Sequence, residues 1–304
     1  MIVVAGEALV DVVVDHDGDS SETPGGSPLN VAVGLARLDV AATLVTQVGN
    51  DERGGAVVAH VTASGAEIVA VPTTSGRTSV ATARLDEGGA AAYDFDLEWS
   101  LPAQELPPCR ALHVGSLGTL LEPGRAAVSD LVDQAVARDL FVSMDANLRE
   151  TFVDDRARVW DAVRELGSRC TLVKLSDEDA GLLDPDATVE EVAHELLTGA
   201  RTRLVLLTRG AKGATAFSAE GEFDATPRPV DVVDTVGAGD AFMAATLAQL
   251  SDLDAYDHHA EDLPTDEAAL RRLVAGAIEV AAITCERRGA NPPRRAELPG
   301  GWPG

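Results

Sequence analysis

The residues best suited to chemistry stand where an amphipathic segment begins, in the string DTVGAGDAF at 234–242. Glycines directly before a helix let backbone N–H groups approach an anion closely, and the helix N-terminus adds a positive field. A carboxylate at Asp240, beside such an anion hole, is what phosphoryl transfer to a hydroxyl group requires. A bare Gly-x-Gly-Asp is more typical of a plain helix N-cap than of such a site. The full Asp-Thr-x-Gly-Ala-Gly-Asp string is much more specific.

A second glycine pair precedes another predicted helix, in GGSPLNVA at 25–32. Gly25 and Gly26 permit close backbone approach, and the Asn30 side chain offers both a donor and an acceptor to a hydroxyl group. Asp11 lies upstream in an apolar run, where a charge is unexpected in a core strand. Asp11 is therefore either exposed on an edge strand or an acceptor for polyol hydroxyls, and the sequence leaves both interpretations open.

Several other chemistries are excluded by what the chain lacks. It has no GxxxxGK[ST] string, so it is not a P-loop nucleotide hydrolase, and no GxGxxG after the first predicted strand, which excludes a Rossmann dehydrogenase. His258 and His259 sit in an acidic stretch that is typical of a solvated loop rather than a metal site. Lysine occurs twice, at Lys174 and Lys212, and Lys212 fits a surface turn better than a phosphate contact.

Net charge and cysteine usage indicate which partners the protein can bind and the redox state of its compartment. Fifty acidic residues against 24 Lys and Arg give a net charge of −26, which disfavours nucleic-acid binding and is typical of a genomic or salt-adapted composition. Three dispersed cysteines without a CxxC motif favour a reducing, cytoplasmic location. No apolar run is long enough to cross a membrane, and the opening segment resembles strands rather than a signal peptide.

The elements that must position these residues alternate along the chain. Short β-branched runs alternate with Ala/Leu-rich amphipathic segments, which predicts parallel βαβ units with both sheet faces covered by helices. The predicted strands are 2–5, 43–47, 67–71, 111–114, 141–144, 171–175 and 203–208. The predicted helices are near 28–38, 54–63, 125–137, 155–166, 188–199, 239–250 and 267–286.

One section breaks this rhythm. Residues 76–98 alternate apolar and polar side chains around DEGG, which predicts a hairpin. Together with 8–17 it would form a small sheet projecting from the main one, either as a lid over the ligand crevice or as a plain edge hairpin. The whole chain, 1–304, is expected to form one domain.

These segments together resemble the ribokinase (PfkB) family of carbohydrate kinases over roughly 1–295. GGSPLNVA is similar to the N-terminal signature of that family and DTVGAGDAF to the C-terminal one. Further matches follow in the family's order: TQVGNDERG (46–54), DANLR (145–149), KLSDED (174–179), LLTRGAKG (206–213) and RRGANPP (287–293). The resemblance implies an ATP-dependent, magnesium-requiring sugar kinase, and a homodimer formed through the lid.

The resemblance also implies roles for individual residues on the side of the acceptor sugar. Asp240 resembles the base that deprotonates the sugar hydroxyl. The anion hole would be Gly237, Ala238 and Gly239. The sugar would be held by Asp11, Gly25, Gly26, Asn30 and Arg149.

On the nucleotide side the resemblance implies two further groups. The nucleotide loop would include Ser176, Thr208, Gly210 and Gly213, with Asp179 assisting Mg²⁺ through water on a shorter arm than the family's usual glutamate. Many members bind a monovalent cation such as K⁺ where Asp234, Val236 and Gly289 fall. Pro293 replaces a serine that helps ligate this cation in some members, which argues against activation by K⁺.

Within the family the chain looks more like the fructokinases than the ribokinases or adenosine kinases, in GEALVD (6–11), RTSVATARLD (77–86) and KLSDED. A 2-keto-3-deoxygluconate kinase is the main alternative. An acid sugar needs cationic or phenolic groups for its carboxylate. The segment after Tyr93 is acidic, although Arg77 and Arg84 are close in sequence. A non-catalytic sugar-binding regulator is the alternative outside enzymes.

Overall fold

The computed structural model describes residues 1–85, 91–256, 263–300 and 302. The predicted DEGG turn and the two histidines at 258 and 259 lie outside these residues. Among the helices of the described segments, none has the length and apolar character needed to span a membrane.

A nine-stranded sheet forms the body of the molecule, in the order β13-β12-β11-β10-β9-β8-β1-β4-β5. From β5 to β11 neighbouring strands pair in parallel, whereas β12 and β13 add an antiparallel hairpin at one edge. The strands are β1 (Ile2–Ala5), β4 (Ala42–Val48), β5 (Glu67–Pro72), β8 (Ala111–Gly115), β9 (Phe141–Asp145), β10 (Leu172–Ser176), β11 (Leu204–Thr208), β12 (Ala214–Ser218) and β13 (Gly221–Ala225).

Helices cover both faces of this sheet, as predicted. Along β1, Ile2 and Val4 enter one apolar cluster while Val3 and Ala5 enter the other, so a continuous apolar strand serves two cores. On the first face lie α1 (Ser27–Arg37), α2 (Glu52–Ser64), α7 (Ala238–Asp252) and α8 (Glu267–Cys285). On the second lie α3 (Gly124–Ala137), α4 (Arg156–Gly167), α5 (Asp177–Leu183) and α6 (Val189–Leu197).

A second, four-stranded sheet has the order β3-β2-β6-β7 and is called the small sheet below. Its strands are β2 (Leu9–Val14), β3 (Ser20–Gly25), β6 (Val80–Leu85) and β7 (Ala91–Asp96). The sequence pattern indicated β2, β6 and β7. It missed β3, whose polar SSETPG sequence with a proline is tolerated because β3 is an edge strand.

The pattern also missed three elements of the large sheet region, namely β12, β13 and α5. The β12–β13 hairpin follows the last predicted strand, and its short strands carry little alternation. Helix α5 has seven residues, too few for an amphipathic period to be recognised. The mostly parallel, helix-covered sheet with a second small sheet confirms the predicted fold class.

Candidate active site

Asp240 lies in the first turn of α7 without capping it. Gly237 is the N-cap residue, with a left-handed φ of 76°, and no side chain caps this helix. The Asp240 carboxylate, 6% exposed, instead accepts hydrogen bonds from Ser27 Oγ at 2.7 Å and from Asn30 Nδ2 at 2.8 Å. Both donors belong to the first turn of α1. The interpretation of Asp240 as a plain helix cap is therefore excluded.

A third donor reaches Asp240 from the loop after β9. Asn147 Nδ2 lies 3.3 Å from Asp240 Oδ1, and Asn147 has a positive φ of 37° that turns the chain towards α7. The Asn147 Oδ1 atom accepts a hydrogen bond of 2.6 Å from Arg149. The DANLR segment thus connects the predicted substrate residue Arg149 to the predicted base through one amide side chain.

The glycine pair at 25 and 26 brings Asp11 to the same place. A Cβ atom on Gly25 would lie 2.0 Å from Asp11 Oδ2, so only glycine leaves room for this carboxylate. Gly26 has a φ of 106°, and a Cβ there would lie 2.8 Å from the Glu7 carbonyl oxygen. At the junction between β3 and α1, the two glycines therefore leave room for the Asp11 carboxylate and for the Glu7 backbone.

Burial shifts the pKa of two carboxyls in this region. Burial raises the pKa of Asp11 to about 6; the Arg149 guanidinium opposes this shift and the Asp240 carboxylate adds to it. Burial likewise raises the pKa of Glu7 to about 7, against hydrogen bonds from Ser116 and from the Gly118 amide. Several negative groups thus share a desolvated region, and Arg149 is the guanidinium that favours their ionised forms.

The predicted nucleotide residues Ser176 and Thr208 are register partners at the carboxyl ends of β10 and β11. Asp179 closes a capping box with Ser176, accepting from both its amide and its hydroxyl at 2.8 Å. The other Asp179 oxygen accepts from the Leu148 amide at 2.7 Å. Asp179 is therefore tied to the residue that follows Asn147, which links the Ser176–Thr208 pair to the Asp240 site.

The two other predicted nucleotide-loop residues differ from each other. Gly213 has a φ of 94°, and a Cβ there would lie 2.2 Å from the Ala225 carbonyl oxygen, so this glycine is required by the packing of β13. Gly210 has a φ of 51° and open space where a Cβ would point. Lys212 lies exposed in the 3₁₀ turn Gly210–Lys212.

The predicted cation residues also come together. The Asp234 carboxylate accepts from the Val236 amide at 3.0 Å and from the Gly289 amide at 2.8 Å. A Cβ on Gly237 would lie 2.5 Å from the Ala290 Cβ, so the turn of Gly237, Ala238 and Gly239, called the glycine turn below, packs directly on the 289–290 segment. Within the described residues no group of three or more His, Cys, Asp or Glu side chains is arranged to hold a metal ion.

Sequence reasoning missed the groups that surround the predicted base. Ser27 and Asn147 both lie inside quoted motifs, and their polar side chains next to Asn30 and Arg149 were the available signal. Neither buried Glu7 nor the buried ion pair of Lys174 with Asp145, 2.7 Å apart, was singled out. A lysine in an otherwise apolar strand was the signal for that pair.

Comparison with known proteins places the chain among carbohydrate kinases. Residues 1–297 match the family described as pfkB family carbohydrate kinase. A fructokinase of Klebsiella pneumoniae is 31% identical over 299 residues, covering 94% of each chain.

Solved structures are similar over almost the whole chain. A Vibrio cholerae fructokinase, in a fructose, ADP and calcium ion bound form, superposes with a TM-score of 0.81 at 26% identity, covering 95% of this chain and 94% of that one. An uncharacterized sugar kinase of Pyrococcus horikoshii in complex with ATP gives a TM-score of 0.81 at 25% identity, covering 98% and 97%. The chain therefore belongs to the pfkB family of carbohydrate kinases.

Proposed function

We propose that this protein transfers the γ-phosphate of ATP to a hydroxyl group of D-fructose, with Asp240 as the base. The observation that carries the proposal is the Asp240 carboxylate, which is held by Ser27, Asn30 and Asn147 next to a glycine turn at a helix N-terminus. The fructokinase names of its relatives support the choice of sugar.

The arrangement supports direct transfer. The acceptor hydroxyl gives its proton to Asp240 as its oxygen bonds to the γ-phosphorus, and the bond from that phosphorus to the leaving ADP oxygen breaks. The amides of Gly237, Ala238 and Gly239 would hold the charge that develops on the phosphoryl oxygens. No histidine or cysteine is among the hydrogen-bond partners of Asp240 in the described part of the chain, and we propose transfer in one step without a covalent phosphoenzyme.

The sugar side favours a neutral polyol. Asp11 and Asn30 present acceptors and donors for hydroxyls, and we assign Gly25, Gly26 and Arg149 to the same subsite. Arg77 of the small sheet, a candidate partner for a sugar carboxylate, is instead paired with Asp96. This pairing argues for fructose over 2-keto-3-deoxygluconate.

The nucleotide side offers both polar and apolar contacts. We assign Ser176, Thr208, Gly210 and Gly213 to the phosphates and ribose. Beside the glycine turn, Val232, Val233 and Val236 are each more than half exposed, at 60%, 56% and 52%, and would pack against the purine ring. A cluster of exposed apolar side chains can mark a ligand-binding groove.

Mg²⁺ supplies charge neutralisation of the triphosphate, and in kinases it is held mainly by phosphates and water with one or two carboxylates. Asp179 fits that limited role, because its Oδ1 atom accepts one bond in the structure and keeps a lone pair for a water molecule. The Asp234, Val236 and Gly289 segment is the candidate K⁺ site. Equal rates in potassium and tetramethylammonium chloride would show that this segment is structural.

We infer that the small sheet acts as a lid and as the interface of a homodimer in the cytoplasm. Phe95 of β7 packs edge-on against Phe152 of the loop after β9, with centroids 5.1 Å apart, so the sheet touches the substrate side. On the same face Val13 and Tyr93 are 39% and 65% exposed. Ala83 on β6 pairs with Val13 on one side and with Tyr93 on the other, so the three residues form one row across the small sheet. Sedimentation that shows only monomer at micromolar concentration would overturn the dimer.

The function is tested by ADP release with a panel of fructose, ribose, 2-keto-3-deoxygluconate and nucleosides. The proposal expects the highest kcat/KM with fructose. Preference for the acid sugar would assign the alternative kinase activity. Fructose binding by calorimetry without any turnover would instead indicate a non-catalytic sugar-binding regulator.

A further inference from the structure

A buried ion pair lies beneath the glycine turn and has no part in the mechanism above. Lys174 Nζ donates to Asp145 Oδ2 at 2.7 Å, and the two side chains are 4% and 0% exposed. The chain has two lysines in 304 residues, and this one lies in the middle of the fold. Replacing a buried ion pair by apolar residues of similar size is often neutral or stabilising, so the pair is poorly explained by stability.

The pair lies directly under the predicted anion hole. Asp145 and Lys174 are register partners on β9 and β10, on the sheet face that α7 covers. A Cβ atom on Gly239 would stand 3.4 Å from Lys174 Nζ. Because residue 239 has no side chain, the ammonium group lies against the backbone of the first turn of α7.

The Lys174 ammonium group lies between a helix N-terminus, which repels it, and carboxylates that stabilise its charge. The N-terminus of a helix carries partial positive charge, so α7 repels the Lys174 side chain. Burial disfavours the charged form of Lys174, yet Asp145, Asp179 and Asp240 together raise its pKa above the ordinary value. Burial raises the pKa of Asp145 to about 6, which still leaves the pair ionised at neutral pH.

The hydrogen bonds of the pair are incomplete. The Asp145 Oδ1 atom is buried without a partner among the described residues. An ammonium group has three N–H donors, and one of them is taken by Asp145. The ammonium group is held where its positive charge adds to the field of the glycine turn.

We propose that Lys174, held by Asp145, is a positioning residue that strengthens the anion hole of Gly237, Ala238 and Gly239 for the transferring phosphoryl group. This inference rests on the phosphoryl transfer proposed above. The fixed ammonium group acts through the glycine turn and stabilises the negative charge that grows on the phosphoryl oxygens. Its hydrogen bond goes to Asp145 and not to Asp11, Asn30 or Arg149, so we expect an effect on turnover and not on sugar binding.

The test compares the wild-type enzyme with the double variant Asp145→Asn/Lys174→Met, which removes both charges and nearly keeps the volume. We expect kcat to fall about 10- to 100-fold, a share of what one donor of an anion hole contributes, with an unchanged KM for the sugar. Binding of Mg·ADP with fluoroaluminate, which mimics the phosphoryl group in transfer, should weaken by a similar factor. Binding of Mg·ADP alone should not change.

A kcat within twofold of wild type, or equal weakening of both nucleotide complexes, would overturn the inference. If no sugar is phosphorylated by the wild-type enzyme, the proposed function fails instead, so the two failures are distinct.

A second measurement uses the wild-type chain and therefore tests the inference even if the double variant does not fold. With ¹⁵N-lysine labelling the wild-type chain gives two side-chain signals, which Lys212→Arg assigns. The Lys174 signal should shift when fluoroaluminate joins Mg·ADP and the sugar, and an unchanged signal would contradict the proposal.

Discussion

Asn30 donates a hydrogen bond of 2.8 Å to Asp240, although the two residues are 210 positions apart in the sequence. The contact joins the first turn of α1 to the first turn of α7, so the two glycine-rich segments of the sequence form one site. Ser27 adds a second bond from the same turn of α1. The orientation of the Asp240 carboxylate is therefore set by a helix that begins at the end of the small sheet.

The fit between Gly25 and Asp11 predicts a specific effect on sugar binding. Gly25→Ala places a methyl group where the Asp11 carboxylate lies and must displace it. We expect the sugar KM to rise about 10- to 100-fold, the usual loss when a hydrogen bond to a charged group is removed, with kcat changed far less. Steady-state kinetics with varied fructose measures this.

The matched control for that variant is Gly55→Ala, at an exposed position of α2 with open space around it. It should leave KM unchanged and stabilise the helix by roughly 0.5–1 kcal/mol. Asp11→Ala should reproduce the KM effect of Gly25→Ala. Loss of stability with an unchanged KM in Asp11→Ala would show that Asp11 is structural.

The raised pKa of Glu7 predicts that the free energy of unfolding depends on pH. Its carboxyl ionises near 4.5 in the unfolded chain but, because of burial, at about 7 in the folded protein. Folding therefore retains a proton between these values, and the contribution of Glu7 to stability falls as pH rises from about 4.5 to 7. Asp11 and Asp145, whose pKa values are both raised to about 6, act in the same direction.

Glu7→Gln keeps an acceptor for the Gly118 amide and removes this penalty. We expect the free energy of unfolding to rise by roughly 1–3 kcal/mol at pH 8 and by much less at pH 5. Urea denaturation at the two pH values measures it, with exposed Glu105→Gln as the control. A Glu7→Gln variant that is less stable at pH 8 would contradict the raised pKa.

The contact between Phe95 and Phe152 predicts how the proposed lid is coupled to the reaction. Phe95→Ala removes an aromatic pair worth about 0.5–1.5 kcal/mol, which should open the small sheet and raise the sugar KM about 2- to 10-fold. Hydrolysis of ATP without sugar should increase, since a closed lid excludes water. Phe95→Leu keeps most of the apolar contact and should give intermediate values. Unchanged KM and hydrolysis would show that the small sheet is not a lid.

The fold was predictable where the sequence has a clear period. The apolar runs at β1, β4 and β8 to β11 and the longer helices were recognisable because both faces of the parallel sheet are buried. Strand β3 was not recognisable, because an edge strand at the surface needs neither apolar nor alternating residues. Strand β3 pairs with β2, because only a short turn separates the two strands and β2 offers backbone hydrogen-bonding groups along its edge.

The candidate site was predictable to the extent that motifs carry it. Asp240, Asn30 and Asp11 were named because they stand in or near glycine-rich signatures. Asn147 was not, since its importance comes from a left-handed backbone conformation that points its amide at Asp240. Lys174 was overlooked because its position under Gly239 depends on how β10 and α7 pack, which no local pattern specifies.

The role of Asp240 is tested most directly by ADP release with fructose for wild type, Asp240→Asn and Asp266→Asn. Asp266 is the control because it is an ordinary helix cap, accepting from the Ala269 amide at the start of α8. We expect Asp240→Asn to fold, keep its affinity for fructose and lose kcat by about 10²–10⁴, the usual contribution of a positioned base. Asp266→Asn should keep wild-type turnover. An Asp240→Asn enzyme with near wild-type kcat would show that Asp240 is not the base.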